Sequence, residues 1–217
     1  MATSAESHYF SEEAVRAWTA IAAKHRIRDE LFLGVLARWF RPGTILEIGA
    51  ATGHLSQILL ARGYDVLATD LSPVLVQAAR ARGVPALIVD ASRDIREQTG
   101  RQFSNVLAQG VLPLIFRDRQ RVQTTLAAIH NALEPAGRLV CISPDASRSQ
   151  QAEAYFTPRE QVAIASETGL FRPVTTFPHQ VVPTGWYRHW NARLLNFLDF
   201  RAAHLFAIRL VWIMEKK

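Results

Sequence analysis

Short apolar runs alternate with helix-patterned stretches along this chain, and no other feature constrains its fold as strongly. In βαβ units a buried strand is followed by a crossover helix, so the alternation predicts an α/β fold with a mainly parallel sheet. The runs predicted as strands cover residues 44–48, 65–69, 86–89, 105–108, 138–142, 174–182 and 205–213. We expect the last strand to follow an antiparallel turn and to lie at the sheet edge, with its direction reversed.

Capping residues mark where several helices begin and end. Ser72 precedes a proline at the first helical position, and Gly83 supplies the left-handed residue that ends the same helix. Thr157 and Glu160 have the spacing of a capping box, in which each side chain satisfies a free backbone donor. Ser11 is predicted to cap a helix that reaches about residue 25, and a second helix is expected over residues 29–40.

Length and composition predict a single domain, because 217 residues with 49% hydrophobic residues can bury a substantial core. We divide it into an N-terminal helical lid over residues 1–40, a core over residues 41–143 and a helical insertion over residues 184–204, before the last strand. The N-terminus lacks the pattern of a targeting segment, and no apolar run reaches the roughly 18 residues of a membrane span. We therefore expect a cytoplasmic protein.

Charge and cysteine content argue against two kinds of site. The formal charge is +6, and binding to a nucleic acid requires clustered cations. The arginines are instead spread along the chain, which argues against a nucleic-acid partner. Cys141 is the only cysteine, so disulfides within the chain and metal sites built from several cysteines are excluded. No metal site is predicted.

The most informative segment joins the first predicted strand to the next helix and reads ILEIGAATG over residues 45–53. Ligands of parallel sheets bind beyond the carboxyl ends of the strands, where small residues expose bare backbone. Such a surface is supplied by Gly49, Ala50, Ala51 and Gly53. A dinucleotide motif would need glycine in place of His54, and Glu47 would repel a pyrophosphate. The charge of Glu47 suits an ammonium and a sulfonium, which favours S-adenosylmethionine over NAD.

Carboxylates end three adjacent predicted strands. Asp70 follows Glu47 by 23 positions, where a carboxylate can accept hydrogen bonds from both hydroxyls of a ribose. Asp90 could accept from an adenine amino group, and Ala91 offers a backbone donor to the ring. Each acid alone would be interpreted as a solvated loop residue or a helix cap, but their joint placement indicates one nucleoside site.

These motifs resemble those of the class I S-adenosylmethionine-dependent methyltransferases, most clearly over residues 41–143, which would form the cofactor-binding core. The resemblance implies a three-layer, Rossmann-like fold whose seven-stranded, mostly parallel sheet has an antiparallel last strand. It also implies methyl transfer with S-adenosylmethionine as cofactor. Ala51 departs from the family, which has a second glycine at that position. The implied cofactor-binding residues are Glu47, Gly49, Ala50, Ala51, Gly53, Asp70, Leu71, Asp90, Ala91, Ser92, Gln109 and Gly110.

Methyl transfer needs alignment of the reacting groups, and oxygen acceptors of high pKa usually also need a base. Candidate bases are His179, His189 and Tyr187, in or beside an aromatic-rich stretch over residues 179–190 where class I enzymes often build the acceptor pocket. Any one of these histidines could equally be a surface or structural residue, and the aromatic side chains could belong to the core. Residues 8–10 would form the opposing lid.

The favoured acceptor is an oxygen or nitrogen of a small molecule, such as a sugar or a secondary metabolite. One alternative is an RNA or protein methyltransferase, and another is a catalytically silent subunit that binds a partner. Residues 191–210 have the pattern of a basic amphipathic helix. Such a helix could contact a membrane surface, pack on a second copy in a homodimer, or pack on its own sheet.

Overall fold

The structure, a computed structural model, describes residues 10–111, 114, 117–144, 155–179, 191, 194 and 209–217. These residues form one mixed sheet of seven strands in the order β3-β2-β1-β4-β5-β7-β6. The strands are β1 (Thr44–Ile48), β2 (Asp65–Asp70), β3 (Ala86–Ile88), β4 (Phe103–Gln109), β5 (Leu133–Pro144), β6 (Phe171–His179) and β7 (Arg209–Lys216). Strands β1 to β5 are parallel to one another, and β7 is antiparallel to β5 and β6. The predicted α/β class and reversed last strand are confirmed.

The prediction that the last strand lies at the edge of the sheet is wrong, because β7 pairs with β5 on one side and β6 on the other. Four consecutive apolar residues of β7, 211–214, are at most 1% exposed, so both faces of the strand are covered. Such a run suits an interior strand. β6 forms the edge and contains Pro173 and Pro178. Proline has no backbone N–H group, so it is tolerated on an edge strand better than on an interior strand, which is hydrogen-bonded on both sides.

Helices cover both faces of the sheet. They are α1 (Glu12–Leu36), α2 (His54–Leu60), α3 (Pro73–Ala81), α4 (Ile95–Thr99), α5 (Arg119–Ala132) and α6 (Pro158–Glu167), and a 3-10 turn (Ala37–Trp39) follows α1. Apolar side chains of α1 and α2 pack with Ile45 and Val66 on one face. Those of α5 and α6 pack with Leu46 and Leu67 on the other, which gives three layers. The capping predictions at Ser72 and Thr157 are confirmed by hydrogen bonds from backbone amides.

The two predicted N-terminal helices are a single helix, so the expected break near residue 25 is wrong. Ser11 caps α1 as predicted, because its hydroxyl accepts a hydrogen bond from the Ala14 amide at 3.2 Å. No glycine or proline occurs between residues 12 and 33, so nothing interrupts the backbone hydrogen bonds. Burial along α1 is uneven: Phe32, Leu33 and Leu36 are nearly inaccessible, whereas only small apolar residues are buried toward Ser11.

Two other predictions fall largely outside the part of the chain that the structure describes. The helical insertion over residues 184–204 and the amphipathic segment over residues 191–210 are represented there by Asn191, Leu194 and the first residues of β7. Within the described ranges, no helix is both long enough and apolar enough to cross a membrane.

Candidate active site

The loop between β1 and α2 turns sharply because alternate residues adopt left-handed backbone conformations. Gly49, Ala51 and Gly53 have φ angles of 67°, 49° and 74°. The Ala50 amide donates to the Thr69 carbonyl of β2 at 2.9 Å, which holds the loop against the neighbouring strand. Glycine adopts such angles readily because it has no Cβ, whereas an alanine does so at a cost of about 1 to 2 kcal/mol.

Gly53 is held in place by packing as well as by its backbone angle. A Cβ added there would lie 3.0 Å from the Ala79 Cβ and 3.2 Å from a methyl of Val84. Gly63 has a similar φ of 84° but nothing within 4 Å of an added Cβ, so it is a matched control. We expect Gly53→Ala to lower the free energy of unfolding by about 1 kcal/mol more than Gly63→Ala, because only the former crowds α3. Urea unfolding of both variants tests this, and equal losses would contradict it.

Glu47 lies in β1 beneath the loop and is 3% exposed. The Ser56 hydroxyl of α2 donates to its carboxylate, and the Thr69 hydroxyl donates to its backbone carbonyl at 2.9 Å. Burial raises the pKa of Glu47 to about 7, aided by the charge of Asp70 and opposed by the Ser56 hydrogen bond. A buried acid with this pKa can gain a full negative charge when a cation comes close.

Asp70 ends β2, and its carboxylate holds the loop after β1 and the loop after β2 by hydrogen bonds. One carboxylate oxygen accepts from the Ala51 amide and the other from the Ser72 amide, each at 2.9 Å. Burial raises the pKa of Asp70, and these backbone amides oppose the rise. The side chain therefore positions the loop after β1 directly, in addition to any contact it makes with a ligand. Leu71, which follows it, is 52% exposed.

Asp90 and its neighbours form a separate turn after β3. The Asp90 carboxylate accepts from the Ser92 amide at 2.9 Å and from the Ser92 hydroxyl at 2.6 Å. The Arg93 guanidinium lies 3.5 Å from its other oxygen. Asp90, Ala91 and Ser92 are each partly exposed. The turn is therefore ordered by its own hydrogen bonds and accessible from solvent.

A cavity of about 180 Å³ lies between the loop after β1, the end of β4 and the overlying helix α1. Six of the residues predicted from the sequence to bind a cofactor line it, namely Glu47, Gly49, Ala50, Ala51, Gln109 and Gly110. Gly53, Asp70, Leu71 and the turn at residues 90–92 do not line this cavity. Asp70 reaches it only through its bond to the Ala51 amide.

Helix α1 supplies the opposite wall, through residues that sequence analysis assigned to a lid but did not name individually. They are Trp18, Ile21, Ala22, His25, Arg28 and Asp29. Their spacing of three, four and seven positions places them on one face of a helix. That face mixes aromatic, apolar and charged residues, and this mixture is the signal that could have identified them.

Arg28 and Asp29 form a buried ion pair in this wall, 2% and 5% exposed. The Arg28 Nε donates to one Asp29 oxygen at 2.9 Å, and the His54 ring lies 3.4 Å from the other. Burial opposes ionisation of Asp29, but the contacts with His54 and Arg28 outweigh it and lower its pKa. Burial and the charge of Arg28 lower the pKa of His25 to about 4, which keeps that ring neutral.

Residues 46–139 match the family model described as a methyltransferase domain. The match begins inside β1 and ends inside β5, so it includes the loop, Asp70 and the turn after β3. Residues 46–139 therefore form a methyltransferase domain of the class I, S-adenosylmethionine-dependent kind. The resemblance seen in the sequence is thereby confirmed. The cofactor of this domain is S-adenosylmethionine. No curated protein gives a significant match to this methyltransferase.

Solved structures with the same fold include several methyltransferases. A protein of Thermotoga maritima, described as a possible histamine N-methyltransferase, is 16% identical with a TM-score of 0.69, covering 97% of this chain and 98% of its own. A TehB-like methyltransferase of Corynebacterium glutamicum is 22% identical with a TM-score of 0.65, covering 97% and 99%. The N-methyltransferase NodS of Bradyrhizobium japonicum, solved with S-adenosylhomocysteine, is 16% identical with a TM-score of 0.63, covering 89% and 87%. At these identities the likeness shows the fold.

The residues around the cavity suit the cofactor of this methyltransferase. The backbone of Gly49 to Ala51 faces the cavity without large side chains, and a Cβ on Gly110 would meet nothing within 4 Å. Glu47 places a buried carboxyl group in the lining, and its charge would match the cationic amino group of the methionine portion. The cavity therefore combines space for a ligand, exposed backbone and a carboxyl group whose charge matches that of the cofactor.

Cofactor affinity of this methyltransferase is expected to rise with pH. Below its pKa of about 7 the Glu47 carboxyl group is mostly neutral, and above it the carboxylate attracts the cofactor's amino group. We expect the affinity for S-adenosylhomocysteine to increase up to about tenfold between pH 6 and pH 7.5. Calorimetry at both pH values measures it. Glu47→Gln should abolish this increase in affinity. Glu97→Gln, which replaces an exposed residue of α4, should retain it. A wild-type affinity that does not change with pH would contradict the assignment.

The structure describes one of the three predicted bases. His179 ends β6, is 1% exposed and stacks on Phe32 with ring centroids 3.7 Å apart. Burial, together with the charges of Arg28 and Arg209, lowers the pKa of His179 to about 3, so its ring is neutral. It does not line the cavity. His189 and Tyr187 lie outside the described residues. The catalytic roles of all three remain predictions.

Proposed function

We propose that this methyltransferase transfers the methyl group of S-adenosylmethionine to an oxygen or nitrogen of a small molecule, such as a sugar or a secondary metabolite. The observation that carries the proposal is the cavity of about 180 Å³ between the loop after β1 and α1. An acceptor atom must enter this space to reach the methyl group. A compact molecule fits such a space more readily than a folded macromolecule does.

Pairing of surface charge supports the small-molecule assignment over a nucleic acid. Several exposed arginines lie within ion-pair distance of a carboxylate: Arg16 with Glu12, Arg26 with Glu30, Arg101 with Asp65, Arg117 with Glu160 and Arg119 with Glu167. Binding to a phosphate backbone requires cations that are free and clustered. These arginines are therefore not free to bind phosphates, and the sites of the excess charge lie elsewhere on the chain. Two of the similar structures are named N-methyltransferases, which supports nitrogen as one acceptor atom.

The reaction we propose is an in-line displacement, in which the cofactor supplies an electrophilic methyl group on a sulfonium. The loop after β1 and the carboxyl group of Glu47 would hold the methionine portion. Asp70 and Leu71 would bind the ribose, and the turn of Asp90, Ala91 and Ser92 the adenine. Gln109 and Gly110 would pass beneath the transferred methyl. The chain contributes mainly alignment, a factor worth up to about 7 to 11 kcal/mol in well-oriented reactions.

The acceptor's proton must leave when the new bond forms, to water for an amine or to a base for an oxygen of high pKa. His179, His189 and Tyr187 remain the proposed bases. Substitution of His189 by alanine is the informative change, because His179 is buried away from the cavity. A base at position 189 predicts slower turnover of an oxygen acceptor with unchanged cofactor affinity.

Methyl transfer from isotopically labelled S-adenosylmethionine tests the acceptor class. The full chain is incubated with a cell extract that has been separated into metabolites, RNA and protein. We expect the label to appear in the metabolite fraction and to remain soluble in acid. Label that precipitates with RNA or protein would overturn the small-molecule proposal. Asp70→Ala, argued in the Discussion to weaken cofactor binding, serves as the control for contaminating enzymes.

A further inference from the structure

The wall of the cavity opposite the cofactor loop carries two arginines. Arg28 projects from α1, and Arg209 begins β7, where it pairs in register with Pro144 at the carboxyl end of β5. The sheet order places β4 and β5 between β1 and β7. Arg209 therefore lies on the side of the cavity away from β1, β2 and β3, whose carboxyl ends hold the cofactor-binding residues.

Hydrogen bonding leaves part of this positive charge without a counterpart. One carboxylate oxygen of Asp29 accepts both hydrogen bonds from Arg28, and the other lies 3.4 Å from the His54 ring. The buried Nη1 of Arg28 has no hydrogen-bond partner among the residues that the structure describes. Within those same residues, Arg209 forms no ion pair with a carboxylate. Partial burial, together with the charge of Arg28, lowers the pKa of Arg209 to about 10, which reflects two cations close together.

Buried cations normally pair with anions because desolvation is costly. Glu47 is the other acid in the cavity lining, but it belongs to the cofactor loop and its pKa is near 7. Arginine presents a planar fork of donors that matches the oxygens of a carboxylate or a phosphate. Arg28, whose Nη1 is unpaired, and Arg209 line the same cavity.

We propose that Arg28 and Arg209 bind an anionic oxygen group of the methyl acceptor, a carboxylate or a phosphate, so that the substrate of this methyltransferase is a small acid. This inference rests on the proposed function, because it names the substrate class of the same site. The position of Arg209 beyond β4 and β5 assigns this arginine to the acceptor rather than to the carboxylate of the cofactor's methionine portion.

Binding to the full chain saturated with S-adenosylhomocysteine tests the inference without an activity assay. The probes are benzoate, inorganic phosphate and benzamide, which has the shape of benzoate without the charge, and ligand-observed NMR measures their affinities. We expect benzoate or phosphate to bind at least about tenfold more tightly than benzamide. The better of the two anions shows whether a carboxylate or a phosphate is preferred. Failure of both anions to exceed benzamide would overturn the inference, and this comparison requires no variant.

Variants then identify the residues. Arg209→Gln should weaken binding of the anion at least about tenfold and change the affinity for S-adenosylhomocysteine less than twofold. Arg209→Lys, which keeps the charge but not the fork, should be intermediate. Arg38→Gln removes an exposed arginine of the 3-10 turn and should change neither affinity. If Arg209→Gln weakened S-adenosylhomocysteine binding and spared the anion, the arginine would serve the cofactor and the inference would be wrong.

The proposed function and this inference fail in different experiments. Label transferred to RNA or protein would reject the small-molecule function, whatever the anion affinities. Label transferred to a metabolite, combined with equal binding of benzoate and benzamide and no binding of phosphate, would leave the function intact. It would show that the acceptor is not recognised through an anionic group.

Discussion

Replacing Asp29 with alanine is expected to lower the free energy of unfolding by about 3 to 5 kcal/mol, because it leaves the Arg28 charge buried without its partner. Arg28 is 2% exposed and Asp29 5%, so water cannot replace the lost carboxylate without local opening. For a domain of this size each kcal/mol shifts the unfolding midpoint by roughly 2 to 4 °C. A thermal midpoint lowered by about 10 °C is therefore expected, as measured by circular dichroism.

Glu30 is the matched control, because it follows Asp29 in α1 and pairs with Arg26 at the surface. Exposed pairs of this kind contribute at most about 1 kcal/mol, so Glu30→Ala should shift the midpoint only slightly. Replacing Arg28 and Asp29 together with apolar residues should recover much of the stability, because no buried charge remains. Equal losses for Asp29→Ala and Glu30→Ala would show that the buried pair does not stabilise the fold.

The second large effect concerns the cofactor. Asp70→Ala should weaken binding of S-adenosylhomocysteine by about 30-fold or more, equivalent to roughly 2 kcal/mol. The substitution removes the proposed acceptor of the ribose hydroxyls. It also removes the acceptor that holds the Ala51 amide at 2.9 Å, so the loop after β1 loses part of its support. Calorimetry at constant pH measures the change.

Asp65 provides the comparison, since it begins the same strand and is exposed, with Arg101 3.4 Å away. Asp65→Ala should leave the affinity within about twofold of wild type, because surface pairs contribute little. A near wild-type affinity in Asp70→Ala would show that Asp70 does not bind the ribose. The assignment of the cofactor site would then have to be revised toward Glu47 and the glycine loop alone.

Much of the sheet could be predicted because its strands are short apolar runs with clear boundaries. The predicted β1, over residues 44–48, matches the observed Thr44–Ile48, and β2 differs by one residue at its end. Caps at Ser11, Ser72 and Thr157 were equally readable, since each uses a local side chain to satisfy a local amide. Interactions between residues a few positions apart produce a recognisable sequence pattern. Pairing between distant parts of the chain does not.

The errors came from features that local patterns do not determine. Whether β7 lies at the edge or between two strands depends on which neighbours cover it, although the prolines of β6 favoured that strand for the edge. The continuity of α1 follows from the absence of any helix breaker, whereas two helices were predicted with a break between residues 25 and 29. Arg28 and Asp29 are in fact buried against each other, a pairing that only the tertiary structure reveals.

In the site, the loop after β1 was predictable because a glycine-rich turn after a buried strand has a recognisable sequence. Glu47, Gly49 and Gln109 do line one cavity. The contribution of α1 was not predictable in detail, because a helix far from the loop in sequence must fold over it before Trp18, His25 and Arg28 come close. The same holds for Arg209, which comes from the last strand.

The uneven burial of α1 determines where a molecule can enter. Phe32, Leu33 and Leu36 attach the second half of this helix to the sheet, whereas Ala14 and Ala22 are the buried apolar residues of its first half. Displacing small side chains exposes little apolar area, so outward movement of the first half costs mainly the hydrogen bond from Arg82 to the Thr19 hydroxyl. We therefore expect the entrance for substrate to open beside Ser11 and the exit of product to follow the same route.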